Sequence, residues 1–291
     1  MTTNEKSHDN SQVWTEVISA ETNLWDLKLG EVWRYRDLIR LFVWRDFISS
    51  YKQTILGPFW LILNPILSSI IYTIMFGVLA NINMEGVPTF LFQLGSTACW
   101  GFIIRCFTTT QGTFTNNAGI FSKVYFPRLA VPIAGIFSNL IQFFILLFCY
   151  IIAFTFYKLY FNNPVTMNLN GILLMPVLLV ISALFGLGLG AIAAAFTTKY
   201  RDFAVFLGYG LSLLMYASAV VYPLSFVPEK YRIYIAYNPI VHLMEAFRYA
   251  LLNIGSVNVP ALTYSAIFSL VVFAIGIMLF NRTERDFVDT V

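Results

Sequence analysis

The stretch WRDFISSYKQTILGPFWLILNPI, from Trp44 to Ile66, starts in charge and ends in hydrocarbon. Arg45, Asp46 and Lys52 belong in water or among lipid headgroups, whereas from Phe59 to about Ala80 the chain is continuously apolar. Between the two lies Leu56-Gly57-Pro58. Gly57 admits backbone angles closed to other residues, and Pro58 suits the first turn of a new helix. The stretch therefore reads as a membrane-surface helix, a sharp turn and a first transmembrane span.

Working outward, 58% of the 291 residues are hydrophobic, 11% are charged, and the mean hydropathy is +0.71. So little charge cannot cover a water-facing surface, which makes lipid the solvent. A helix needs roughly 20 residues to cross a bilayer core. Six stretches qualify, near 59–80, 89–110, 132–157, 172–196, 203–222 and 260–280. The expected class is an all-α polytopic membrane protein, divided into an arm (1–28), a surface helix (29–56), a membrane domain (57–280) and a tail (281–291).

The positive charges fall unevenly. Thirteen of the 18 Lys and Arg lie in the N-terminal segment, the loops near 111–131 and 197–202, and the tail. Only Lys158, Lys230, Arg232 and Arg248 fall on the opposite side, and Arg105 lies within a span. The positive-inside rule then places both termini in the cytoplasm, as an even number of spans requires. No secretory signal is read, since the first apolar run follows some 58 largely polar residues. Cys99, Cys106 and Cys149 fall inside spans without metal-ligand spacing and read as small apolar side chains.

Around the surface helix, Arg36 and Arg40 share one side while Arg45 and Lys52 share nearly the opposite one. A helix resting on lipid alone would show one clean polar face, so this one is expected between headgroups and another protein surface, with a surface anchor without a partner as the alternative. In the first span Asn64-Pro65 predicts a kink. Ser68, Ser69, Tyr72, Thr73 and Phe76 then share about 140° of arc, either as helix-packing glue or as the wall of a wet passage. Arg105 is expected to reach the inner membrane surface, with an anionic headgroup as its functional alternative. The inner loop NNAGIFSKVYFPRLAVPIA (116–134) suggests a short helix that either docks a cytosolic partner or merely connects. Gly186, Gly188 and Gly190, spaced by two with no strand before them, are not a nucleotide loop and signify close packing or local flexibility. Phe206, Tyr209 and Tyr216 share about 80° of arc, as core or as a ladder for sugar rings.

Residues 223–258 are too broken by Pro223, Pro228 and Pro239 to span, yet too apolar for a plain loop. Asn238-Pro239 starts a helix carrying His242, Glu245 and Arg248. The segment reads as two short helices dipping into the outer leaflet, which suggests an outer gate or vestibule, with Pro239, His242, Glu245 and Arg248 as the candidate gate residues. His242 and Glu245 lack a third ligand for a metal, so none is expected.

Catalytic machinery is not evident. The spans hold almost no carboxylates, which argues against ion coupling. There is no Gly-Lys dipeptide and hence no phosphate loop, so any ATP must bind another chain.

The pattern RD-x4-YK-x3-LGPFW-x3-NP (Arg45, Asp46, Tyr51, Lys52, Leu56, Gly57, Pro58, Phe59, Trp60, Asn64, Pro65) resembles the membrane subunits of ABC-2 type exporters. It is most similar to the polysaccharide branch, the O-antigen, capsule and teichoic acid permeases. The resemblance covers nearly the whole chain, including the inner loop and the RTERDFVD tail. It implies a homodimer on two ATPase subunits, with ATP and magnesium on those partners. The cargo would be a polyprenyl-linked glycan, exported across the inner membrane; no nucleic acid is expected. Substrate intake would involve Arg45, Leu56, Gly57, Pro58, Trp60 and Arg105. Coupling to the ATPase would involve Arg36, Arg40, Asn117, Phe121, Lys123 and Tyr125. The expected channel lining is Ser69, Tyr72, Phe76, Phe206, Tyr209 and Tyr216. Alternatives are an exporter of drugs or a small lipid, and a membrane glycosyltransferase, for which Asp37 and Asp46 lack the usual pairing.

Overall fold

A computed structural model describes residues 29–49, 52, 54–121, 123–124, 126–161, 166–200 and 202–288, without the side chains of Leu29, Leu169 and 285–288. The arm (1–28) and Tyr125 therefore lie outside the described residues. Within them the chain forms eleven α-helices and no strand.

Two helices open the described residues, α1 (Leu29–Arg34) and α2 (Arg36–Ser49). The expected surface helix to 56 is thus divided at Tyr35, and residues 54–56 are not helical. The turn follows as the sequence implies: Gly57 takes φ +52°, and Pro58 sits in the short 3-10 turn Gly57–Phe59 that leads into α3 (Trp60–Tyr72). Beyond Tyr72 the helix widens into a π-turn over Thr73–Leu79. The long helices α4 (Thr89–Gln111), α6 (Ala130–Tyr160), α7 (Leu169–Lys199) and α11 (Val259–Val288) complete a bundle. α5 (Thr113–Phe121) lies beside α1 and α2 at what we term the basal end. At the distal end α8 (Asp202–Ala217) gives way to α9 (Glu229–Ala236) and α10 (Pro239–Leu252).

Five of these segments are long and apolar enough to cross a membrane: Gly57–Leu79, Thr89–Gln111, Ala130–Tyr160, Asn170–Lys199 and Val259–Glu284. The sixth expected span, 203–222, is shorter. Its helix α8 has 16 residues, about 24 Å against a hydrocarbon core of about 30 Å. α11 instead runs past the expected boundary at 281, because NRTERDFV contains neither proline nor glycine to stop it.

α7 is the centre of the bundle, and its glycines are the reason. A Cβ on Gly186 would stand 2.7 Å from Cys106 Cβ, and one on Gly190 2.6 Å from the Phe107 carbonyl, both on α4. A Cβ on Gly188 would meet the backbone of Phe273 on α11 at 2.6 Å. The three glycines therefore serve two faces and let two helices approach α7 backbone to backbone, the close packing anticipated from their spacing. Cys99 and Cys106 are buried among these helices, and Cys149 is partly exposed.

α10 is the other buried element. Ile240, Leu243, Met244, Phe247 and Leu251 pack into the main core with α4 and α7. Asn238 caps it, accepting from the Ile240 N–H at 3.0 Å.

Candidate functional site

Three regions contain the residues expected to act. The first is an open face. Ser69 alone is buried on α3, and no side chain is buried on α8. On α8, Phe206 is 68% and Tyr209 72% exposed, and Leu213 and Tyr216 continue the stripe. Tyr72 lies beside it, its hydroxyl donating to Met215 Sδ at 3.8 Å and its ring 6.3 Å from Phe76. Of the six expected lining residues, Tyr72 lies on α3, Phe76 on the π-turn beyond it, where it packs partly against the main core, and Phe206, Tyr209 and Tyr216 on α8. Ser69 does not join them. Its hydroxyl donates to the Pro65 carbonyl at 2.7 Å and meets Thr97 of α4 at 3.1 Å, so for this residue helix packing wins over a wet wall.

The second region is basal. α2 turns Phe42 inward against Phe126, Ala130 and Ala134, while Leu41, Trp44 and Ile48 share about 60° of arc on its exposed side. The second protein surface expected for this helix is the chain's own α6 and the loop before it. Arg45 bonds Asp46 at 2.7 Å and donates to Asn117 Oδ1 at 3.3 Å. Beneath this pair a cleft of about 510 Å³ opens between α2, α4, α5 and α6.

Of the residues assigned to coupling, Arg36, Arg40 and Lys123 are exposed. Asn117 is buried, its amide donating to the Thr113 carbonyl at 3.0 Å. Phe121 turns inward to Phe114 and Phe126, with the Arg128 guanidinium 5.3 Å above its ring. Those two side chains hold α5 on the bundle rather than present it outward. Arg128 also donates to the Glu284 carbonyl at 2.9 Å, fastening the end of α11 to the same loop.

Of the residues assigned to intake, Leu56 and Trp60 are exposed around the Gly57 turn, as is Phe59 between them. Arg105 departs from expectation. Its guanidinium folds back over Gly101, away from the basal end. Side chains on a helix lean toward its N-terminus, and α4 begins at the distal end, so this arginine cannot easily snorkel basally.

The third region is distal. Arg248, only 6% exposed, lies with its guanidinium 4.3 Å from the Phe92 ring centroid. It donates to Ser96 Oγ at 3.3 Å, to the Val220 carbonyl at 2.8 Å and to the Ala219 carbonyl. Gln93 donates to the Val221 carbonyl at 2.8 Å. Two buried side chains thus satisfy three consecutive carbonyls where α8 has ended and Ala219 takes φ +50°. Irregular backbone at this depth needs such partners.

His242 and Glu245 turn to the other flank of α10, 3.7 Å apart and beside Tyr264. The Glu245 carboxylate first, and then the Ala236 carbonyl, hold the imidazole above its ordinary pKa against the opposing effect of burial. Pro239 is buried at the head of the helix, where its carbonyl accepts from Ser265 at 2.8 Å. The four expected gate residues therefore share a helix but not a cluster. The Gln93–Arg248 clamp was not foreseen: Arg248 was expected at a gate, and Gln93 was not singled out.

The family model for ABC-2 type transporters matches residues 37–252, well over half of the chain. The chain belongs to this family. It is accordingly a multi-pass membrane protein and a transporter subunit rather than a free-standing enzyme.

Curated relatives cover almost the same length. An O-antigen export system permease protein RfbA of Klebsiella pneumoniae is 26% identical over 253 residues, 87% of this chain and 94% of that protein. The Myxococcus xanthus protein of the same name is 26% identical over 267 residues, 90% and 98% respectively. The polysialic acid transport protein KpsM of Escherichia coli is 25% identical over 245 residues, 83% and 91%.

Proposed function

We propose that this ABC-2 chain is the permease subunit of an exporter of lipid-linked polysaccharide, powered by a separate ATPase. The observation that carries the reading is the near full-length similarity to permeases and transport proteins whose names specify O-antigen and polysialic acid. In this reading two copies associate across the open faces of α3 and α8 and form the channel between them. That supports a place for side chains which none of the described residues covers: Phe206, Tyr209, Leu213 and Tyr216. Aromatic rings with hydroxyl tips let sugar rings slide past without a deep binding well.

The basal end faces the cytoplasm of a bacterial inner membrane, with both termini on that side. Two ATP-binding subunits, which hold the ATP and magnesium, dock against Arg36, Arg40, Lys123 and the exposed surface of α5. A polyprenyl-linked glycan enters near Leu56, Gly57, Pro58 and Trp60 and leaves past α9 and α10.

Replacing Tyr209 and Tyr216 together by alanine tests the channel. Neither side chain is buried in the protomer, so assembly and expression should hold while surface glycan falls by an order of magnitude or more. Surface glycan at the unsubstituted level would remove both residues from the path.

A further inference from the structure

α9 has no buried side chain of its own, so what fixes it is its elbow with α10. There the backbone carbonyls are taken up in turn by side chains from other elements. The Ala236 carbonyl lies 2.8 Å from His242 Nε2, the Tyr237 carbonyl accepts from the Tyr264 hydroxyl at 2.9 Å, and the Pro239 carbonyl accepts from Ser265 at 2.8 Å. The Asn238 amide donates to Ser218 Oγ at 2.8 Å. Of the groups that grip these carbonyls, one titrates near neutral pH.

A carbonyl only accepts, so Nε2 of His242 carries a hydrogen. Nδ1 stands 3.7 Å from the Glu245 carboxylate, a second acceptor. Only the imidazolium presents a hydrogen to both. The neutral ring keeps its Nε2–H but turns a lone pair toward the carboxylate, and it loses the positive charge that suits a helix C-terminus. The neighbouring elements bring no second charge onto this pair. Tyr264 of α11 meets the imidazole edge-on at 6.4 Å, and α11 has no further ionisable side chain until Arg282. The loop 253–258 over the pair carries none, and α7 carries none before Lys199 at its basal end. On α9, Arg232 turns back to the Ser225 and Val227 carbonyls, and Glu229 and Lys230 lie still further from Ala236. On α10 itself, Arg248 points to the opposite flank and Tyr249 stands about two turns on.

We propose that His242 is a proton-dependent latch on the α9–α10 elbow, tight while its imidazole is charged and slack once it is neutral. Glu245 raises the imidazole above its ordinary value near 6.5, so the latch is fully charged below about pH 6.5 and loosens as the pH climbs through the raised value. The latch stands on the fold alone. Its consequence, an outlet that opens more readily as the pH at the distal face rises, rests on the export reading, in which α9 and α10 border the glycan's exit.

Hydrogen exchange of the amides of residues 231–238 tests the latch without any glycan, in the full-length chain with its co-purifying subunits in lipid nanodiscs. After correction for the intrinsic pH dependence of exchange, protection should fall about threefold or more from about pH 5.5 to about pH 8.5. Glu245→Gln should move that fall to lower pH, and His242→Gln, which keeps an N–H donor but does not titrate, should abolish it. Level protection in the unsubstituted protein overturns the latch, as does a fall that survives intact in His242→Gln. If His242→Gln does not fold, Glu245→Gln decides, and a fall left at the same pH overturns the pairing. In cells, the rate at which surface glycan appears should rise over the same range of external pH and should level out in His242→Gln. A level rate beside a falling exchange profile overturns the link to the outlet and leaves both the latch and the export reading standing. No surface glycan at any pH overturns the export reading and not the latch.

Discussion

Arg248→Ala is expected to cost the protein its distal architecture. The guanidinium has no access to solvent to speak of and supplies donors to the carbonyls of Ala219 and Val220, where the chain has left the helix. Alanine leaves two buried carbonyls without donors, at about 1–3 kcal/mol each, and opens a void against Phe92. The thermal midpoint of the solubilised protein should fall by about 8–15 °C, at roughly 2–4 °C per kcal/mol. Arg248→Lys should fall between the two, because one ammonium cannot span Ser96 and both carbonyls with a planar fork. A midpoint unchanged in Arg248→Ala would mean that the carbonyls find other partners and that the clamp is not what holds the segment.

Gly188→Val should be as damaging by a different route. The new Cβ would stand 2.6 Å from the Phe273 nitrogen and 2.7 Å from its Cα, and backbone atoms cannot swing aside as a side chain can. α7 and α11 would have to part along their length, at about 1–3 kcal/mol or more, with a sharp loss of folded protein by size-exclusion chromatography. Gly210→Ala on α8 is the contrast. A Cβ there meets nothing within 4 Å, and alanine improves helix propensity by up to about 1 kcal/mol, so the protomer should lose no stability. Equal behaviour of the two variants would contradict the packing described for α7.

Much of this molecule was legible in its residue order, and what was not has a common cause. Spans follow from hydropathy, which is a local property. Gly57-Pro58 and Asn238-Pro239 encode their turn and cap within a few residues, and the structure has both. The glycine spacing on α7 allowed close packing or local flexibility, and the structure has the packing. By contrast, Arg248 meets Ser96 across 152 residues and Gln93 meets Val221 across 128, so their pairing has no local signature. The same holds for Ser69, which a helical wheel groups with Tyr72 but which α4 claims through Thr97. Phe121 and Asn117 were assigned to coupling from the resemblance alone, and it takes the contacts of Arg128 and Arg45 to show that both side chains are held inward. Arg105 was misjudged on direction alone, since reach says nothing of which way a side chain leans on its helix.

The structure also explains why α3 and α8 can be set apart from the other helices. α4, α7, α10 and α11 form a packed body that is stable through its own contacts, whereas α3 and α8 lean on it by one side only. A partner copy covering those faces would leave a passage bounded by aromatics rather than by the tight glycine contacts of the core. Wide helical geometry at Thr73–Leu79 lies at the distal end of the same face.

The central claim is that this chain works as the membrane half of an ATP-driven glycan exporter. Affinity purification of the chain from its native membrane, followed by partner identification and an ATPase assay, tests it most directly. The account predicts a nucleotide-binding subunit in equal stoichiometry and ATP hydrolysis that responds to added lipid-linked glycan. A chain that purifies alone from gently solubilised membranes, with no ATPase and no response to glycan, would contradict it.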